Sequence, residues 1–161
     1  MLARSTFFLT CAAAISSGLV SGVFLAFSSF IMPAFARIAP GQGIAAMNSI
    51  NITVINPLFM SLLFGTALIG LLLFVGSVAH LEQQRHLFIM VASVLYVVGC
   101  AVVTMGWNVP LNNALAGVVE GSTEALPLWT RYLKDWTFWN HVRTVASGAS
   151  CAFYIAALVS R

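Results

Sequence analysis

The sequence predicts an all-α integral membrane protein: a four-helix bundle with two amphipathic connector helices on one membrane face. Three observations lead there. Only 7% of its 161 residues are charged, against about 25% in a soluble domain. Mean hydropathy is +0.98. Apolar stretches near residues 7–35, 58–79, 87–107 and 144–160 fill most of the chain, separated by polar segments rich in proline, glycine and asparagine. Membrane helices are therefore expected at about 5–36, 57–79, 87–107 and 140–160, within a single domain over residues 1–161.

The first apolar stretch follows Arg4 and runs to Phe35, far beyond the apolar core of a secretory signal, so it reads as an uncleaved membrane helix. Ala14, Gly18, Gly22 and Ala26 recur every four residues. Such a ladder of small residues allows close approach of a neighbouring backbone. Ser17, Ser21 and Ser28 on an adjacent stripe are expected to bond back to their own helix.

Pro33 and Pro40 end this helix, and a short connector helix follows. Its apolar face carries Ile44, Met47, Val54 and Ile55, with Asn48 and Asn51 set within that face. Buried amides need partners, so this helix is expected to dock with its asparagines turned inward. Asn56-Pro57 opens the second membrane helix, with proline in the first turn. The segment from His80 to His86 is a polar hairpin whose histidines and charges read as a solvated turn. Beyond the third helix, Thr104, Asn108 and Asn112 share a face, and Asn108 is placed to cap a short helix begun by Pro110 and stopped by Gly117. Residues 122–139 read as a separate interfacial helix, with Leu126, Trp129, Leu133 and Trp136 on one side and Arg131, Lys134 and Asp135 on the other.

The halves echo each other. Each is a membrane helix, a proline-marked exit, an amphipathic connector and a return helix entered through asparagine (Asn56, Asn140). A tandem helix-hairpin repeat places both connectors at one end of the bundle, and with them Asn48, Asn51, Asn56, Asn108, Asn112, Asn113, Asn140, His141 and Arg143. That concentration suggests a pocket open to the connector side.

Residues 144–160 span only about 25 Å, so Arg143 stands at or just inside a hydrocarbon core about 30 Å thick. It either snorkels to the interface or serves a site. The stripe Asn140, Arg143, Thr144, Ser147, Ser150 and Cys151 on its helix face favours the second. His141 lies about 200° from Arg143 around a helix. Either the helix starts after His141, or His141 points to the connector while Arg143 points into the bundle. His141 is the one histidine on the connector side.

Other chemistries lack their residues. The net charge of +3 is dispersed, with no basic cluster for nucleic acid. Cys11, Cys100 and Cys151 fall within predicted helices as small packing residues. No metal site is expected, since no His, Cys or carboxylate cluster has ligand spacing, and there is no axial haem pair, phosphate loop or nucleophile elbow. The basic residues on the two faces nearly balance. Cytoplasmic termini are favoured because Glu120, Glu124 and Asp135 offset the connector charges.

Several motifs carry a resemblance over nearly the whole chain. They are Phe27-Ser28-Ser29-Phe30-Ile31-Met32-Pro33-Ala34, Gly43-Ile44-Ala45-Ala46-Met47-Asn48, Asn56-Pro57-Leu58-Phe59-Met60 and Gly65-Thr66-Ala67, then Asn108-Val109-Pro110-Leu111-Asn112-Asn113-Ala114-Leu115 and Trp136-Thr137-Phe138-Trp139-Asn140-His141-Val142-Arg143-Thr144. Together they resemble the anthrone oxygenase-like family of small four-helix membrane proteins. That resemblance implies residence in a bacterial cytoplasmic membrane and a cofactor-independent oxygenation of an apolar aromatic molecule by molecular oxygen. Fungal relatives convert a polyketide anthrone to an anthraquinone. The chemistry needs a base for an activated methylene proton and donors for the resulting anion. The roles implied are His141 as base, Arg143 with Asn108 and Asn112 as anion stabilisers, and Trp139 as a stacking wall. Asn48, Asn51, Asn56 and Asn140 complete the expected binding set. The rival expectation is a non-catalytic membrane protein, either a carrier of small lipophilic molecules or a packing partner in a larger complex.

Overall fold

The computed structural model describes residues 2–119 and 122–160, and no strand occurs among them. Glu120, which enters the orientation argument, lies outside the described residues, as does the terminal Arg161. Four helical rods are long and apolar enough to cross a bilayer: Arg4–Phe35, Pro57–His80, Gln84–Ala116 and Ala125–Val159. The protein is an all-α membrane bundle, as its composition predicts.

The first rod is α1 (Leu2–Ala26), a wide π-type turn (Phe27–Ile31) and α2 (Met32–Phe35). The connector α3 (Pro40–Thr53) leads to α4 (Pro57–Ser77), closed by a tight turn at Val78–His80. The third rod is α5 (Gln84–Tyr96), wide turns at Val97–Val102 and Thr104–Asn108, and α6 (Val109–Ala116). The fourth is one unbroken helix, α7 (Ala125–Val159).

Two boundaries differ from expectation, for identifiable reasons. The third helix does not stop at 107. Asn108 has helical backbone angles and makes no capping bond; its amide instead donates to the Trp136 carbonyl at 3.2 Å. The chain passes Pro110 because the preceding turn is wide: Val109 N–H bonds to the Thr104 carbonyl, five residues back. Widening moves aside the carbonyl that a proline ring would strike. The same device precedes Pro33, where Met32 N–H bonds to the Phe27 carbonyl. The two proline exits are thus matched wide turns, which supports the repeat.

The fourth helix also does not begin at 140. It starts at Ala125, so the predicted interfacial helix and the return helix are one rod, about 52 Å long. Only the first half enters its return helix through asparagine: Asn56 accepts from Phe59 N–H at 3.0 Å. Because α7 is continuous, its buried face is Ala125, Trp129, Tyr132 and Trp136, while Leu126 is exposed and Leu133 half-buried.

α1 packs most extensively on α7, α5 also packs on α7, and α4 bridges α1 and α5. Small residues set the spacing, though not along the whole expected ladder. A Cβ on Gly18 would lie 3.2 Å from Cys151 Sγ, whereas one on Gly22 would meet nothing. The tightest approaches are at Gly99, whose added Cβ would sit 2.5 Å from that of Ala146, and at Gly43, where it would sit 2.5 Å from the Trp129 ring. Of the three serines, Ser17 bonds its own helix at Ala14. Ser21 reaches the Thr144 carbonyl at 3.0 Å and Ser28 the Thr144 hydroxyl at 3.2 Å. α3 packs on α6 and α7, so both connectors meet at one end. On α3, Ile44 and Met47 are buried, Val54 is half-buried and Ile55 is exposed beyond the helix end.

Candidate functional site

At the connector end the four rods and α3 enclose a cavity of about 810 Å³, within the range of about 300–1,000 Å³ usual for small-molecule sites. Its apolar wall includes Phe24, Phe27, Phe59, Met60 and Leu63. Its polar groups are Asn48, Asn51, Thr104, Asn108, Asn112, Asn113 and Arg143, with Trp136 beside them.

Arg143 is 4% exposed. Its Nη2 donates to Asn140 Oδ1 at 2.7 Å and its Nη1 to Thr104 Oγ1 at 3.3 Å. The Thr104 hydroxyl donates in turn to the Cys100 carbonyl at 2.8 Å, which leaves its lone pairs for the guanidinium. The guanidinium carbon lies 4.1 Å from the Phe24 ring centre and 5.1 Å from that of Trp136, so two π faces flank the charge. Among the described residues no carboxylate pairs with it: the ion pairs are His80–Glu82 and Arg131–Asp135, both exposed. A buried arginine normally has an acidic partner. Here every neighbour is neutral, and the guanidinium stays charged.

Asn140, fully buried, holds this arrangement. Its amide nitrogen donates to the Phe24 carbonyl and to Ser28 Oγ, both at 2.8 Å, so its oxygen must face Arg143. Behind Asn112, the buried Tyr132 hydroxyl donates to Asn112 Oδ1 at 2.8 Å. Trp129, Tyr132 and Trp136 stack at 5.7 and 5.8 Å along α7. Five buried polar atoms without a protein partner belong to cavity-lining residues: Asn48 Oδ1, Asn51 Nδ2, Asn108 Oδ1, Trp136 Nε1 and Arg143 Nε. Native proteins rarely leave such groups unmatched, and their presence around one space marks it as a candidate site.

Of the residues expected from sequence, Asn48, Asn51, Asn108, Asn112 and Arg143 are brought together, with Asn113 at the edge. Asn56 is a helix cap. Trp139 stacks on Trp107 at 4.6 Å and does not line the cavity. Asn140 lies behind Arg143 rather than in the lining. His141 is exposed and outside the lining. Since α7 is helical through both residues, Arg143 points into the bundle and His141 away from it. Ser147 and Ser150 face inward as the stripe requires but bond to the carbonyls of Arg143 and Ala92.

Phe24, Thr104 and Trp136, the other walls around the guanidinium, were not expected as site residues. Trp136, Asn140 and Arg143 follow i, i+4, i+7, a signal that becomes visible only when 125–159 is treated as one helix. At the far turn, His80 and His86 stand with ring centres 5.0 Å apart, and His86 Nδ1 meets Ser77 Oγ at 3.0 Å. No group of three potential metal ligands occurs among the described residues.

Comparison with known families finds one described as anthrone oxygenase matching residues 52–153, from the end of α3 into the last turns of α7. No curated protein and no solved structure matches the chain.

Proposed function

The chain belongs to the anthrone oxygenase family, and from that premise we propose that its cavity binds an anthrone- or quinol-like aromatic molecule as an oxyanion and promotes direct reaction with molecular oxygen. The observation that carries this reading is Arg143: a buried, permanently charged group with neutral neighbours, bordering an apolar cavity. Such a charge favours a bound or developing anion, because its field acts in a low-dielectric space and is already oriented.

In the proposed step the substrate methylene loses its proton, leaving an enolate whose oxygen sits against Arg143. The ring carbanion bonds to dioxygen, and the peroxide anion takes up a proton. Loss of water then leaves the new carbonyl. One oxygen atom enters the product and the other departs as water. Among the described residues, Arg143 is the only titratable one in the lining. The proton therefore passes to water at the headgroup level as the substrate enters, and catalysis rests on stabilising the anion rather than on a protein base. His141, assigned as base by family resemblance, has no contact with the reacting atoms in this scheme.

Oxygen uptake and quinone absorbance with purified protein and an anthrone test the proposal. Acceleration over protein-free vesicles is expected, with at least a hundredfold loss in Arg143→Gln and less than a threefold change in His141→Ala. No acceleration by the folded wild-type protein, or equal loss in both variants, sinks it. The absence of a base from the lining also favours the rival reading of a carrier, whose signature is Arg143-dependent binding without turnover.

A further inference from the structure

We propose that the cavity takes its ligand from the lipid rather than from water, through a mouth between α4 and the connector-side end of the third rod. The inference rests on the anion-site reading of the cavity and adds the route and the partitioning of its ligand. Six lining residues on α4, on the third rod and at the end of α3 are also exposed: Ile52, Ile55, Phe64, Val109, Asn113 and Ala116. Only Asn113 is polar. An opening bordered this way offers a hydrated solute almost no partner, and an aromatic ligand a continuous apolar surface.

The opening arises from the wide turns. α4 packs on α5 and on the turn Val97–Val102, whereas α6, beyond the second wide turn, packs on α3 and α7. The third rod thus leaves α4 at the level of Thr104, and Phe64 (43% exposed) and Val109 (39% exposed) stand on the two sides of the gap. Its depth follows from helix length. From Phe64 to His80 is about 24 Å, and from Arg143 to Val159 is the same. Phe64 and Arg143 therefore lie at one height, about 6 Å inside a hydrocarbon core about 30 Å thick. A ligand lying in the connector-side leaflet, with its charged oxygen near the headgroups, meets the guanidinium by lateral movement. This geometry selects an amphiphilic aromatic anion that partitions into bilayers.

The test follows binding of anthracene-9-carboxylate, a fluorescent three-ring anion, to full-length protein in phosphatidylcholine vesicles, with energy transfer from tryptophan as the stopped-flow signal. Phe64→Trp and Val109→Trp narrow the mouth from opposite sides. Leu72→Trp changes an exposed α4 residue away from the cavity. The expected result is association slowed at least tenfold in each mouth variant and unchanged in Leu72→Trp. Rates equal to wild type in whichever mouth variants fold, or no binding by the wild type, overturn the proposal. Arg143→Gln separates the two readings. If it binds as tightly as wild type, the anion site fails, while the mouth variants still report the route.

Discussion

Arg143 and Asn140 divide one task between charge and orientation. A carboxylate at 140 would neutralise the guanidinium; the amide fixes it and, on the proposed reading, leaves its charge for a ligand. Asn140→Asp is therefore expected to weaken binding of anthracene-9-carboxylate at least tenfold although Arg143 is retained. It also sets an oxygen against the Phe24 carbonyl, a loss of roughly 1–3 kcal/mol in thermal unfolding, partly offset by the new ion pair. The Asn140→Asp/Arg143→Gln double variant should lose no more affinity than the worse single one, since both remove the same charge. Additive losses would show that Asn140 contacts ligand independently. Arg143 was legible as a costly group at the membrane edge, and so were the cavity's asparagines, Asn48 and Asn51 as amides within an apolar face and Asn108, Asn112 and Asn113 as polar groups gathered at the connector end. The aromatic faces of Phe24 and Trp136 were not: an aromatic on an apolar helix face has the same pattern whether it fills a core or walls a cavity.

Between elements, close seams are set by glycine and the proposed open one by wide turns. Gly99 allows the third rod to touch α7 at Ala146, whereas Gly22 faces outward with free space. Gly99→Ala should cost about 1–3 kcal/mol by forcing the rods apart. Gly22→Ala should be neutral or slightly stabilising. Detergent-solubilised thermal melts distinguish them, and equal effects would remove Gly99 from its role. The four membrane helices were readable because uninterrupted apolar length has few other solutions in a 161-residue chain. Their ends on the connector side were not. Pro110 and Asn108 carry standard stop and cap signals, and these were overridden by a wide turn that depends on packing against α7. Residues 122–139 read as a separate interfacial helix ending before Asn140, yet the buried face of Trp129, Tyr132 and Trp136 runs on into Asn140 and Arg143 and the helix is continuous.

Across the whole molecule, the hairpin repeat is approximate in a useful way. Matched wide turns before Pro33 and Pro110 give the two halves the same exit, but the first half then separates connector from return helix and the second fuses them. The fused rod carries the stacked Trp129, Tyr132 and Trp136 at one end of a line that continues through Asn140 and Arg143 into the bilayer. It consequently behaves as a phase-locked shaft. A single residue inserted near Thr130 would turn everything on its N-terminal side by about 100° relative to Arg143, taking Trp129 out of the core around Met47. A seven-residue insertion, close to two full turns, would nearly restore the phase. Melts and anthracene-9-carboxylate binding should show the one-residue insertion as the more damaging of the two; the reverse order would mean that the two ends of the shaft are uncoupled. Length changes among related chains should accordingly collect before Ala125 and spare the shaft itself.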